Sequence, residues 1–145
     1  MSKIKEGENF KVAFAILKFN DRYIFQHRDD RPDIASPGLY AGFGGAIEGD
    51  ESPLEGARRE LSEETTIEQV ENLNFKKLGV IRLPGLRGGV RYAYLVKVEN
   101  DDFKVIEGQG RVSFSKEDLE TVDLKKFTPT TRFAIENYIL GTSSL

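Results

Sequence analysis

Between positions 44 and 67 the chain reads GGAIEGDESPLEGARRELSEETTI, and its second half crowds Arg59, Glu60, Leu61, Glu63 and Glu64 together. At about 100° per residue, a helix over this run carries Glu60, Glu63 and Glu64 within an arc of roughly 100°. Like charges at i,i+3 and i,i+4 repel, so such a face costs helix stability. An ordinary Glu-rich helix tolerates the cost by leaving its charges solvated. A hard divalent cation removes it, because Mg2+ takes carboxylate oxygens and keeps several waters. Upstream, Gly44-Gly45 closes an apolar stretch. Without a Cβ on either residue, a backbone carbonyl can approach an ion closely.

The start of the helix is written in its residues. Ser52 suits the N-cap, Pro53 the first helical position, and Glu55 completes a capping box with Ser52. The helix is predicted from Pro53 to Glu64 or Thr65, with Leu54, Ala57, Leu61 and the stem of Arg58 as its packed stripe. The carboxylates then face the Gly44-Gly45 turn.

Before this helix, Phe10 to Phe19 is a nearly continuous apolar run of β-formers, as expected of a buried central strand. Asn20-Asp21 is a turn signal, and Arg22 to Arg28 continues as the second strand of a hairpin. Asp29 to Gly38, with two prolines, is a loop. Tyr40 to Ile47 mixes aromatics and glycines, as a short strand does when its backbone must come close to something. After the helix, Phe75 to Leu83 and Val90 to Val98 read as strands joined through 84–89. Asn100 to Asp102 makes a turn, and Lys104 to Gly110 leads into a short strand at Arg111 to Phe114. Ser115 caps a brief helix over Lys116 to Glu120. Thr128-Pro129 opens a last helix, with Phe133, Ile135, Tyr138 and Ile139 as apolar positions and Gly141 at its end. The order suggests a mixed sheet between helices in one domain, residues 1–145.

Several chemistries are excluded. Gly42-x-Gly44 begins a dinucleotide fingerprint, but Ile47 stands where the third glycine belongs, and no Gly-Lys-Ser/Thr run is present. The chain has no cysteine and one histidine, His27, which leaves no thiolate or histidine zinc site. A formal charge of −3 gives no global field for a nucleic-acid polymer. No apolar run has the length of a membrane span and the N-terminus has no secretory core, so the expected location is cytoplasmic.

Taken together, Gly45, Glu51, Arg59-Glu60-Leu61-x-Glu63-Glu64 and Ile67 resemble the signature of the Nudix hydrolases. The match holds at every fixed position but one, where the family has Gly and this chain has Thr66. A glycine just past a helix end usually takes φ > 0, which a β-branched residue adopts only with strain. The turn after the helix is therefore expected to differ here.

The resemblance implies an α/β fold, an α/β/α sandwich with a mixed sheet between helices. It also implies hydrolysis of a nucleoside diphosphate linked to another group, by attack of water on phosphorus with Mg2+ or Mn2+ as cofactor. Clustered carboxylates suit that reaction, since divalent ions bring an anionic substrate to an anionic site. Glu60 and Glu64, one turn apart, are the expected principal metal ligands, Glu63 a third contributor, directly or through water, and the Gly44 carbonyl a backbone ligand. Arg59 is expected to pair with Glu51 and Glu63 and to orient carboxylates; the alternative for Glu51 and Arg59 is a surface ion pair worth under about 1 kcal/mol.

Outside the signature, Glu107 is the candidate general base or extra metal ligand, against the alternative of a solvated loop carboxylate. Arg28 is a candidate phosphate ligand through its planar donor fork. Arg82, Arg87, Arg91 and Arg111 are further cations that spacing does not separate. Tyr40, Phe43 and Tyr92 offer flat apolar surface for a base, although aromatics in strands usually belong to the core. His27 is expected to pack. The substrate is a small nucleotide, either a nucleoside triphosphate or a nucleotide sugar or ADP-ribose. A nucleotide-binding sensor without catalysis is the alternative, opposed by the presence of all three glutamates. The resemblance leaves a homodimer open, and no stretch marks an interface.

Overall fold

The computed structural model describes residues 10–34, 36–83 and 89–141; Arg87 and most of the 84–89 join lie outside them. The run of β-formers at the start becomes β1, Lys11–Phe19, which turns at Asn20 (φ 54°) into β2, Arg22–His27. The glycine-rich stretch forms two short strands rather than one, β3 at Tyr40–Ala41 and β4 at Phe43–Ala46. They are followed by helix α1 (Pro53–Glu64), β5 (Phe75–Ile81), β6 (Val90–Lys97), β7 (Arg111–Ser115), helix α2 (Lys116–Thr121) and helix α3 (Pro129–Ala134). The last helix widens into a π turn over Ile135–Ile139, and Gly141 follows at φ 67°.

Strand β1 is central. One edge runs parallel to β6 from Lys11 against Val90 to Lys18 against Lys97. Its other edge is shared, because Val12–Ala15 pair with β4 while Leu17–Phe19 pair with β2. β2 thus diverges from β1 halfway along and pairs instead with β3 on one side and β7 on the other. The break between β3 and β4 falls at Gly42, where a Cβ would lie 2.6 Å from the Phe14 ring. The sheet is mixed, with β5 antiparallel to β6 at one side.

Each face of the sheet buries its own core. Ala15, Leu17, Ile24, Phe43 and Val96 pack with Leu61 of α1 on one face. On the other, Phe14, Ile16, Phe25 and Ile81 pack with Leu119, Phe127, Ala134 and Ile135 around α2 and α3. This is the expected α/β/α sandwich. Among the described residues no helix is long and apolar enough to cross a membrane.

The exit of α1 is extended. Thr65 closes the helix at φ −136°, its hydroxyl donating to the Leu61 carbonyl at 2.8 Å, and it bridges antiparallel to Val105. Thr66 is not among the residues at positive φ, which the chain reaches only at Gln69 (φ 56°) in this segment. The strain a threonine would suffer in a glycine turn is avoided by turning three residues later.

At the helix start, Ser52 Oγ accepts the Glu55 N–H at 3.1 Å and Glu55 Oε1 accepts the Ser52 N–H at 2.8 Å. Replacing Ser52 with Ala is expected to cost about 1 kcal/mol. Urea denaturation should show this as a lower midpoint with an unchanged slope.

Candidate active site

Arg59 is the hub of the acidic helix face. Its Nε donates to Glu51 Oε2 at 2.6 Å and its Nη2 to Glu51 Oε1 at 3.2 Å, a two-pronged grip. Nη2 also donates to the Ala46 carbonyl at 3.0 Å, and Nη1 to Glu60 at 3.1 Å and Glu63 at 3.2 Å. Glu51 is fixed from behind by the Glu48 N–H, at 2.9 Å. The hydrogen bonds from Arg59 hold the Glu51 carboxyl below the ordinary carboxylate range, and those to Glu51 push the guanidinium pKa upward. One cation thus ties α1 to the loop before it and to the end of β4.

Glu60 and Glu64 behave otherwise. Burial raises both pKa values, that of Glu64 to about 9, helped by the Glu60 charge and by a hydrogen bond between the two carboxyls. Glu64 is 6% exposed, and its Oε1 is buried without a hydrogen-bond partner. Glu60 lies against the backbone of Gly45, where a Cβ would meet its carboxylate at 2.7 Å. Gly44 contributes a backbone hydrogen bond to Glu64. A buried carboxyl with an unused oxygen and a half-buried one, packed on glycine backbone, form a hard oxygen donor set of the kind Mg2+ or Mn2+ takes.

The expected third contributor, Glu63, does not join the pair directly. Glu63 has a side chain 57% exposed and is turned onto Arg59. Among the described residues no three acidic or histidine side chains stand in metal-holding geometry. A cation here would have the Glu60–Glu64 pair and the backbone beside it as protein donors, a small set of the kind that Mg2+ completes with waters and substrate phosphates.

Glu107 is exposed, and its charge acts on Glu64. Its segment is tied to α1, since the Ile106 N–H donates to the Glu64 carbonyl at 2.8 Å. It is also tied to the end of β2, where the Gln109 N–H donates to the His27 carbonyl at 2.7 Å and Gln109 Nε2 to the Arg28 carbonyl at 2.8 Å.

A cleft of about 350 Å³ opens where β1 and β2 diverge, walled by Gly44, Gly45, Arg28, Arg91, Phe14 and Gln26. Arg28 reaches it with its Nε on the Ser36 carbonyl at 3.3 Å, and the Arg91 guanidinium lies 5.6 Å from the Phe10 ring centre. Gln26, missed by the sequence reading, is 6% exposed and donates from Nε2 to the Gly42 carbonyl at 3.0 Å. Its signal was a lone amide in the apolar strand RYIFQH, two residues before Arg28. The Gly42 N–H in turn donates to Thr131 Oγ1 at 3.2 Å. A larger cavity, about 500 Å³, lies beyond the helix exit around Ile67, Gln69, Leu73 and Phe103, and none of the signature carboxylates lines it.

Two aromatic assignments are corrected. Phe43 is fully buried among Leu61, Leu17 and Ile24, because its side chain points to the α1 face of β4, and it has no free ring face for a base. The Tyr40 ring is occupied, with His27, Phe127 and Phe114 at 5.0, 5.4 and 5.8 Å between centres, and it does not line the cleft. Tyr92 faces the α1 side with Ala13 and Ile47. Arg111 stacks on Phe103 at 4.4 Å and donates to the Asp101 carbonyl, away from the cleft.

A family model described as NUDIX domain matches residues 9–133. Among solved structures, a NUDIX hydrolase from Nitrosomonas europaea superposes with a TM-score of 0.73 at 17% identity, over 98% of this chain and 76% of that one. The dihydroneopterin triphosphate pyrophosphohydrolase of E. coli gives 0.67 at 17% identity, over 95% of this chain and 100% of the other. A bifunctional NMN adenylyltransferase/ADP ribose pyrophosphatase from Francisella tularensis, complexed with AMP and a Mn ion, gives 0.60 at 25% identity. That match covers 78% of this chain and 36% of the longer protein.

The buried pair has a consequence for stability. A carboxyl whose pKa rises on folding binds its proton more tightly folded than unfolded, so stability falls as pH rises from 4.5 toward about 9. Glu51 has the opposite shift, which is exhausted above about pH 6. In EDTA the melting temperature should therefore fall between about pH 6 and pH 9. Glu64→Gln should flatten that slope and melt higher than the parent at the alkaline end, as scanning calorimetry would show.

Proposed function

The chain belongs to the Nudix family, and from that membership we propose that it hydrolyses a nucleoside diphosphate linked to another group, with Mg2+ or Mn2+ as cofactor. The observation that carries this reading is the buried, unpartnered oxygen of Glu64 beside Glu60 and the Gly44-Gly45 backbone. A buried acceptor left unsatisfied is costly, and its retention makes sense where a cation completes it.

In this reading Glu60 and Glu64 hold the metal, with the Gly44 carbonyl as a backbone ligand. When bound, the ion neutralises phosphate charge and polarises a phosphoryl oxygen. Arg59 keeps Glu60 and Glu51 oriented, a positioning role, and Glu63 acts only through it. Arg28 binds a phosphate oxygen from the cleft wall, where its fork of donors matches a phosphate edge. Glu107 accepts the proton of the attacking water. The base and sugar lie in the cleft between β1 and β2, against Phe14, Gln26 and Arg91 rather than against Tyr40 or Phe43. Both proposed substrate classes have counterparts among the similar proteins, the dihydroneopterin triphosphate pyrophosphohydrolase and the ADP ribose pyrophosphatase.

Purified protein with Mg2+ should turn over at least one member of a panel of triphosphates, oxidised triphosphates, nucleotide sugars, ADP-ribose and dinucleoside polyphosphates. Chelation should abolish turnover, and Glu64→Gln should lower it by on the order of a hundredfold or more. Nucleotide binding without turnover under both Mg2+ and Mn2+ would sink the hydrolase reading in favour of a sensor.

A further inference from the structure

Position 66, where the signature has glycine, carries a hydroxyl that is in use. The Lys104 N–H donates to Thr66 Oγ1 at 2.8 Å, while the Thr66 N–H donates to the Lys104 carbonyl at 2.9 Å. Two residues further, the Ile106 N–H donates to the Glu64 carbonyl at 2.8 Å, and Thr65 bridges Val105 between them. Residues 104–106 are thereby laced to the end of α1 that bears Glu60 and the buried Glu64, and Glu107 is the next residue. On its far side the segment is anchored to β2 through Gln109, and Gly108 (φ 74°) passes so close to β2 that a Cβ there would lie 2.5 Å from the His27 carbonyl oxygen. A glycine at 66 would keep the backbone bond to Lys104 but offer its N–H no acceptor. Exposed as it is, that N–H would then turn to water and the lacing would loosen.

We propose that Thr66 is a positioning residue for Glu107, its hydroxyl holding the Lys104 N–H so that residues 104–107 stay fixed beside the Glu60–Glu64 pair. The inference rests on the reading of Glu107 as a participant in hydrolysis. It gives the departure from the signature a use: a side-chain tie that glycine cannot make secures the loop bearing the base.

Thr66→Val removes the oxygen and keeps the branched shape, whereas Thr66→Ser keeps the oxygen. Amide exchange followed by NMR should quicken at Lys104 and Ile106 in the valine variant, by roughly three- to tenfold for one net hydrogen bond, and return in the serine variant. With the substrate found in the panel, Thr66→Val should lower kcat by a similar roughly three- to tenfold and leave KM unchanged. Serine should restore kcat. In a Glu107→Gln background the valine substitution should cost nothing more, since its effect passes through Glu107.

Unchanged exchange in Thr66→Val, or losses that multiply independently in the double variant, would overturn the inference while leaving the hydrolase reading intact. Full turnover in Glu107→Gln would instead remove Glu107 from the mechanism, and this inference with it. Absence of turnover in the parent protein would overturn both.

Discussion

A single guanidinium sets the terms for everything around it. Arg59 meets Glu51, Glu60, Glu63 and the Ala46 carbonyl within hydrogen-bonding distance. Without it, the acidic face of α1 would repel both itself and the loop that carries Glu48 and Glu51. With it, the helix docks against β4 closely enough for Glu60 to rest on the Gly45 backbone. The grip is incomplete by construction. Glu64 lies deeper and makes no hydrogen bond to the guanidinium, and burial with the Glu60 and Glu107 charges favours its protonated form. A structure that needed only stability would place leucine there; this one keeps a buried acid, which is the observation behind the proposal of a bound cation.

Much of the fold was legible because its signals are local. The capping box at Ser52, the hairpin turn at Asn20, the prolines at the helix starts and the β-branched runs each act over a few residues, and each appears where expected. The site was legible in outline for the same reason: carboxylates at helical spacing must share a face. What was not legible depends on long-range pairing. The stretch 40–47 carries no mark showing that its first strand pairs with β2 and its second with β1, and that switch at Gly42 is what turns Phe43 inward. Tyr40 was drawn into an aromatic cluster with Phe114 and Phe127, residues remote in sequence. Gln26 went unnoticed because an amide in a strand looks ordinary until its Gly42 partner is known. Spacing alone also could not say that Glu63, on the same arc as Glu60, would be taken by Arg59.

The helix exit shows how a departure from a familiar pattern is accommodated. A threonine cannot enter the left-handed region cheaply; the chain is extended at Thr65, keeps Thr66 out of positive φ, uses both to pair with 104–106, and reaches positive φ at Gln69 instead. The segment that arrives at the carboxylates from the other side of the molecule is brought there by the same two threonines.

The divided edge of β1 also bears on how the protein is made. Its parallel partner β6 begins at Val90, whereas β2 and β4 are both complete by Ala46. On the ribosome, the hairpin and the acidic helix therefore emerge before the central strand can be closed on its second side. Until residue 97 is clear of the exit tunnel, an apolar strand with an open edge stands beside a helix bristling with glutamates. Pairing that waits on such distant residues is slow, and an unpaired edge invites other strands. The order of the chain thus sets when β1 can be closed on both sides, which is only after Lys97 has been made.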